Sequence, residues 1–156
     1  MNKKKIISIV IGIIIILLDQ LTKILLMNKN ITIIPGFINF TYTENTGAAF
    51  GIGSNNIIMV IVVNIIILGF VIKFLKDNNE RIDSWITIPL IAILAGGISN
   101  LMDRICRGFV IDFIDVNIFN FPNFNIADIS IVLGIFTLII VITKQIIMEN
   151  KEEKEE

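Results

Sequence analysis

The chain has 156 residues, 54% of them hydrophobic, and a formal net charge of −1. It contains no histidine and a single cysteine, which excludes an intramolecular disulfide, the common histidine zinc sites and any nucleophile that needs an imidazole base. Soluble domains average about 45–50% apolar residues, and here the excess is gathered into long runs, so the chain reads as a polytopic membrane protein.

A bilayer-spanning helix needs about 20 apolar residues, and four stretches reach that length: 5–27, 56–75, 84–103 and 126–148. Positive residues near span ends favour the cytoplasm. With the N-terminus inside, the inner segments carry nine Lys and Arg, among them Lys3, Lys4 and Lys5, against four outside: Lys23, Lys29, Arg104 and Arg107. Both termini are therefore expected in the cytoplasm. The basic start followed by Ile6 to Leu18 resembles a secretory signal. Polar Asp19-Gln20-Leu21-Thr22-Lys23 comes next in place of a small-residue cleavage site, so the first span is expected to stay uncleaved.

Beyond that span, Pro35-Gly36 marks a turn. From Phe37 to Thr43, Ile38, Phe40 and Tyr42 alternate with Asn39, Thr41 and Thr43, the period of a strand. Phe109 to Val116 is a second short run able to pair with it. In the second span Asn64 is expected to bond a neighbouring helix, and in the third Gly96 and Gly97 permit close packing. Between them, Lys76 to Asp83 reads as a charged inner loop, and Trp85 as an interfacial anchor. Phe119, Phe121 and Phe124 around Pro122 suit a segment at headgroup level. Cys106 reads as an ordinary free thiol, residues 149–156 as a solvated charged tail, and 1–156 as one domain.

The costly polar residues converge on one side of the membrane. Asp19, Gln20 and Lys23 fall near the outer end of the first span, and Asn100, Asp103 and Arg104 end the third. Asn125 and Asp128 start the fourth, while Asn45 and Asp112 lie in the outer segments. Ionisable groups within spans point to function, yet each has a plainer reading. Asp19 and Lys23 at i,i+4 can neutralise each other while Lys23 snorkels. Asp103 and Arg104 can brace the third span to the outer cap. Asp128 suits the first turn of a helix capped by Asn125, and Asp112 could be a loop carboxylate. A transporter, a non-catalytic membrane binding or assembly protein, or a serine–lysine peptidase using Ser54, Ser99 or Ser130 with Lys23 or Lys29 stay open on these grounds.

Five motifs occur in order: Asp19-Gln20-x-x-Lys23, Asn45-x-Gly47-Ala48-Ala49-Phe50, Gly96-Gly97-x-x-Asn100-x-x-Asp103-Arg104, Val110-x-Asp112-Phe113 and Phe124-Asn125-x-Ala127-Asp128. Together they resemble the bacterial lipoprotein signal peptidases, or signal peptidase II. The resemblance implies four transmembrane helices with a small extracytoplasmic β-cradle. It implies an aspartic endopeptidase of the cytoplasmic membrane, with its site at the extracytoplasmic face. Such an enzyme cleaves prolipoproteins just before a diacylglyceryl-modified cysteine. The catalytic pair maps onto Asp112 and Asp128, with Asn45, Gly47, Asn100, Asp103, Arg104, Asn125, Asp19 and Lys23 lining or bracing the site. No metal or cofactor is expected. The expected partners are the precursors and membrane lipid, not nucleic acid, and the enzyme is expected to be a monomer.

Overall fold

In the computed structural model, residues 3–47, 56–78, 82–117 and 121–155 are described. Four long helices, α1 (Lys3–Leu26), α2 (Ile57–Asp77), α3 (Ser84–Arg107) and α4 (Ile126–Glu155), carry three strands between them: β1 (Asn30–Ile34), β2 (Ile38–Asn45) and β3 (Val110–Val116). Each helix is long and apolar enough to cross a membrane. Inside lipid, an unpaired backbone group has no water to bond, so every span must satisfy its backbone within itself.

α3 is the hub, packing against α1, α2 and α4. Its most apolar stretch is 44% buried, against 11–17% in the other three helices. Large side chains such as Leu17, Phe70 and Phe136 point outward, as befits a lipid-facing surface. Close approach between helices depends on small residues. A Cβ added to Gly96 would overlap the Ala127 carbonyl and the Ser130 hydroxyl of α4, and one on Gly12 would stand 2.8 Å from Ile91 of α3.

Local chemistry sets the ends. Asn28, at φ 58°, closes α1 in the left-handed region that Asn tolerates. Gly108, at φ 83°, closes α3, its N–H bonding the Arg104 carbonyl. Asn56 caps α2 through the Met59 N–H. α4 runs on to Glu155, beyond the expected span end, so most of the charged segment 149–156 is helical. Its Glu and Lys residues are strong helix formers.

The strands form an antiparallel sheet in the order β1-β2-β3. The two expected strands pair as anticipated, and β1 adds a third that alternation in Phe37 to Thr43 did not reveal. Between Phe40 and Thr43, β2 has an extra residue relative to β3: Phe40 faces Ile114, but Thr43 faces Asp112. A bulge of this kind reverses which face the later side chains occupy. Asn45 thereby lies opposite Val110, diagonal to Asp112 on one face of the sheet. Past β3, Phe124 bridges Ile114, and the Asn123 amide bonds the Thr41 carbonyl and Thr43 hydroxyl. The segment around Pro122 is thus pinned to the sheet; Phe119 lies outside the described residues.

Candidate active site

The sheet brings Asp112 over the start of α4, where Asp128 sits in the first turn. Asn125 and Asp128 form a reciprocal cap: Asn125 Oδ1 accepts the Asp128 N–H at 2.9 Å, and Asp128 Oδ2 accepts the Asn125 N–H at 3.2 Å. The remaining polar atom of Asn125, Nδ2, donates to Asp112 Oδ1 at 2.6 Å. From the other side Asn45 Nδ2 donates to Asp112 Oδ2 at 2.9 Å, and Asn100 Nδ2 donates to Asp128 Oδ1 at 2.8 Å. Three asparagines therefore orient the two carboxylates.

Both acids line one cavity of about 550 Å³ together with Asn45, Asn100 and Arg104. Its end beneath the sheet is polar, while Ile129, Ile131, Val132 and Leu133 of α4 form an apolar wall. Burial, and after it the charge of Asp128, push the Asp112 carboxyl up to about 6, against the bonds from Asn45 and Asn125 that favour its ionised form. A pair of this kind holds a proton into a range where an ordinary aspartate has lost it.

Beneath the acids lies a fully buried charge cluster. Lys23, Asp19 and Asp103 are each 0% exposed, and Lys23 Nζ reaches Asp19 at 2.7 Å, Asp103 at 2.9 Å and Asn100 Oδ1 at 2.9 Å. Lys23 therefore does not snorkel to the interface; two carboxylates and an amide satisfy its three N–H groups in place. Asp19 accepts the Ser99 hydroxyl and the Ala127 N–H, fixing the first turn of α4 from α1. Asp103 and Arg104 are not paired with each other, since adjacent helix positions diverge. Asp103 bonds Lys23, Gln20, Arg107 and the Ile111 N–H of β3. Arg104 donates to the carbonyls of Gly47 and Asn100. Each braces α3 to the cap separately.

Gln20 and Arg107 belong to this cluster, although only Gln20 stood in a motif; Arg107 bonds the Gln20 Oε1 at 3.2 Å. Its spacing of four from Asp103 was the available signal. Ser99 and Lys23 each bond Asp19, so neither is arranged as a nucleophile–base pair, and Ser130 donates to the Ala92 and Ala127 carbonyls. Ser54 lies outside the described residues.

A helical membrane bundle roofed by a sheet that sets a buried carboxyl beside a second is the arrangement that an acid–base enzyme of the aspartic type requires. Comparison with known proteins gives the family. Residues 11–144 match the family model for signal peptidase (SPase) II. The lipoprotein signal peptidases of Staphylococcus aureus strains JH9 and Newman are 39% identical to this chain over 165 aligned positions, covering 99% of each chain. Two bacterial membrane enzymes solved by the in meso method share the fold. The 2.3 Å structure has a TM-score of 0.78 and 35% identity over 88% of this chain and 87% of its own. The 1.9 Å structure has a TM-score of 0.75 and 33% identity over 86% and 91%. The chain belongs to the signal peptidase II family of aspartic peptidases, and is a multi-pass membrane protein. That membership sets aside the transport, scaffolding and serine–lysine readings.

Proposed function

We propose that this protein removes the signal peptide from lipoprotein precursors by cutting just before a cysteine that carries diacylglycerol, with Asp112 and Asp128 as the catalytic pair. The observation that carries the reading is the shared cavity: both carboxylates open onto a chamber whose end beneath the sheet is polar and whose α4 wall is apolar. A substrate tethered in the bilayer by acyl chains needs that combination. The excess of Lys and Arg in the inner segments supports a site at the extracytoplasmic face of the bacterial cytoplasmic membrane, with both termini inside.

In this reading the dyad carries one proton. The ionised carboxylate takes a proton from water as the water oxygen bonds the scissile carbonyl carbon, and the protonated partner gives its proton to the carbonyl oxygen. The tetrahedral intermediate then collapses: the carbon–nitrogen bond breaks, the cysteine amine leaves with a proton from the dyad, and one hydroxyl of the intermediate returns its proton to the dyad as the new carboxyl forms. Arg104 supports peptide binding here. Among the described residues its Nε is a buried nitrogen without a hydrogen-bond partner, and a substrate carbonyl would satisfy it.

The test incubates purified protein with a synthetic diacylglyceryl-modified precursor and identifies the product by mass. Cleavage before the modified cysteine is expected, with Asp112→Asn lowering kcat by about 10²–10⁴ while precursor binding persists. Unchanged processing by Asp112→Asn would remove that residue from the chemistry.

A further inference from the structure

Asn64 is a cavity-lining residue to which the peptidase reading assigns no task. It lies half-buried in α2, on the cavity wall with Gly97 and Asn100. Its Nδ2 reaches the Gly97 carbonyl at 3.4 Å, longer than the usual 2.7–3.2 Å or so of such bonds. Its Oδ1 has no hydrogen-bond partner among the described residues. That oxygen is open to the cavity that Asn64 lines, where it can accept from what the cavity binds, and a polar side chain within a span is by default functional.

Its depth says what it meets. Gly97 precedes Asn100 by one helical turn less a residue, so the Asn64 contact lies about 4.5 Å inward of the group that orients Asp128. Signal peptides enter with their basic end inside, so the residues before the cut lie inward of it. An extended chain advances about 3.3 Å per residue. Asn64 therefore faces the peptide one or two residues before the scissile bond. That stretch must leave helical form to present the bond, which frees its N–H groups, and the cavity wall formed by Ile129, Val132 and Leu133 offers them no side-chain acceptor.

We propose that Asn64 is a substrate-binding residue whose Oδ1 accepts a backbone N–H of the unwound signal peptide, one or two residues before the scissile bond. It rests on the peptidase reading and adds a contact inside the membrane that is indifferent to side-chain sequence.

The test compares the full-length enzyme with Asn64→Leu on lipidated precursors in which each of the two peptide bonds before the scissile one is replaced in turn by an ester. The ester removes one N–H and leaves the side chains alone. In the wild type, one replacement lowers kcat/KM about ten-fold, the size of one buried hydrogen bond. Asn64→Leu lowers kcat/KM on the all-amide precursor by a similar factor and then shows no further ester penalty. Asn64→Ala repeats the comparison without added bulk. Equal ester penalties in wild type and variants, or unchanged kcat/KM in the variants, overturn the proposal. So does a variant that only lowers Tm and keeps the ester penalty. If the wild type does not cut the all-amide precursor, the peptidase reading itself falls; cutting without Asn64 dependence defeats this inference alone.

Discussion

Asn125 serves Asp112 and Asp128 at once: its oxygen caps the helix that carries Asp128, and its amide donates to Asp112 Oδ1 at 2.6 Å. One side chain thus sets both the start of α4 and the position of the acid hung from the sheet. Asn125→Ala should cost about 1 kcal/mol of stability through the lost cap. The cleavage rate should fall much further, by about 10²-fold, because a misplaced reacting group is penalised steeply. Thermal unfolding and kcat/KM measured on one preparation separate the two effects. An activity loss no greater than the stability loss implies would contradict the dual role.

The Asp112 carboxyl gives a pH dependence with a definite sign. In the folded protein it is pushed up to about 6, against 3.8 ordinarily. The folded state therefore keeps a proton that the unfolded chain has released. That stabilising contribution is full below about pH 4 and is lost as pH rises through about 6. Relative to Asp112→Asn, which does not titrate, the wild type should lose up to about 3 kcal/mol across this window. Denaturant curves for both proteins at several pH values give the difference. Asp128→Asn should also lower the Asp112 midpoint, read from the carboxyl carbon by NMR, because it removes the neighbouring charge. An unmoved midpoint would mean that the two acids do not sense each other.

Removing Lys23 should be severe. Lys23→Met leaves Asp19 and Asp103 as buried carboxylates facing an apolar side chain, a loss of about 3–5 kcal/mol. Adding Asp19→Asn and Asp103→Asn should recover a large part of it, since the uncompensated charge is the main penalty. Thermal unfolding in detergent reads both. A Lys23→Met protein as stable as the wild type would show that the cluster is not the anchor it resembles.

Two glycines should behave oppositely. Gly96→Ala drives a methyl group into the Ala127 carbonyl, and backbone cannot swing aside as a side chain can. A loss of about 1–3 kcal/mol is expected, with a fall in cleavage because α4 carries Asp128. A Cβ at Gly69 would meet nothing within 4 Å, so Gly69→Ala should be neutral or stabilising by up to about 1 kcal/mol. Equal effects at the two sites would rule out α3–α4 packing as the cause.

The four spans were legible in local sequence because lipid forces each span to be a continuous apolar helix that satisfies its own backbone; the residues that end α1, cap α2 and end α3, Asn28, Asn56 and Gly108, were not read there. The Asp19–Lys23 pair and the Asn125–Asp128 cap were legible for a similar reason, since both partners lie within one helical turn. Which charges share the buried cluster was not. Asp103 joins Lys23 from another helix, and Ser99 reaches Asp19 across 80 positions, contacts set by the rotation of α3 against α1. The face occupied by Asn45 was equally hidden: simple alternation carried through to it sets it apart from Asp112, and a single bulge in β2 brings the two together. Helix rotation and strand register are properties of packed elements, so only the folded chain could determine how the two acids are held.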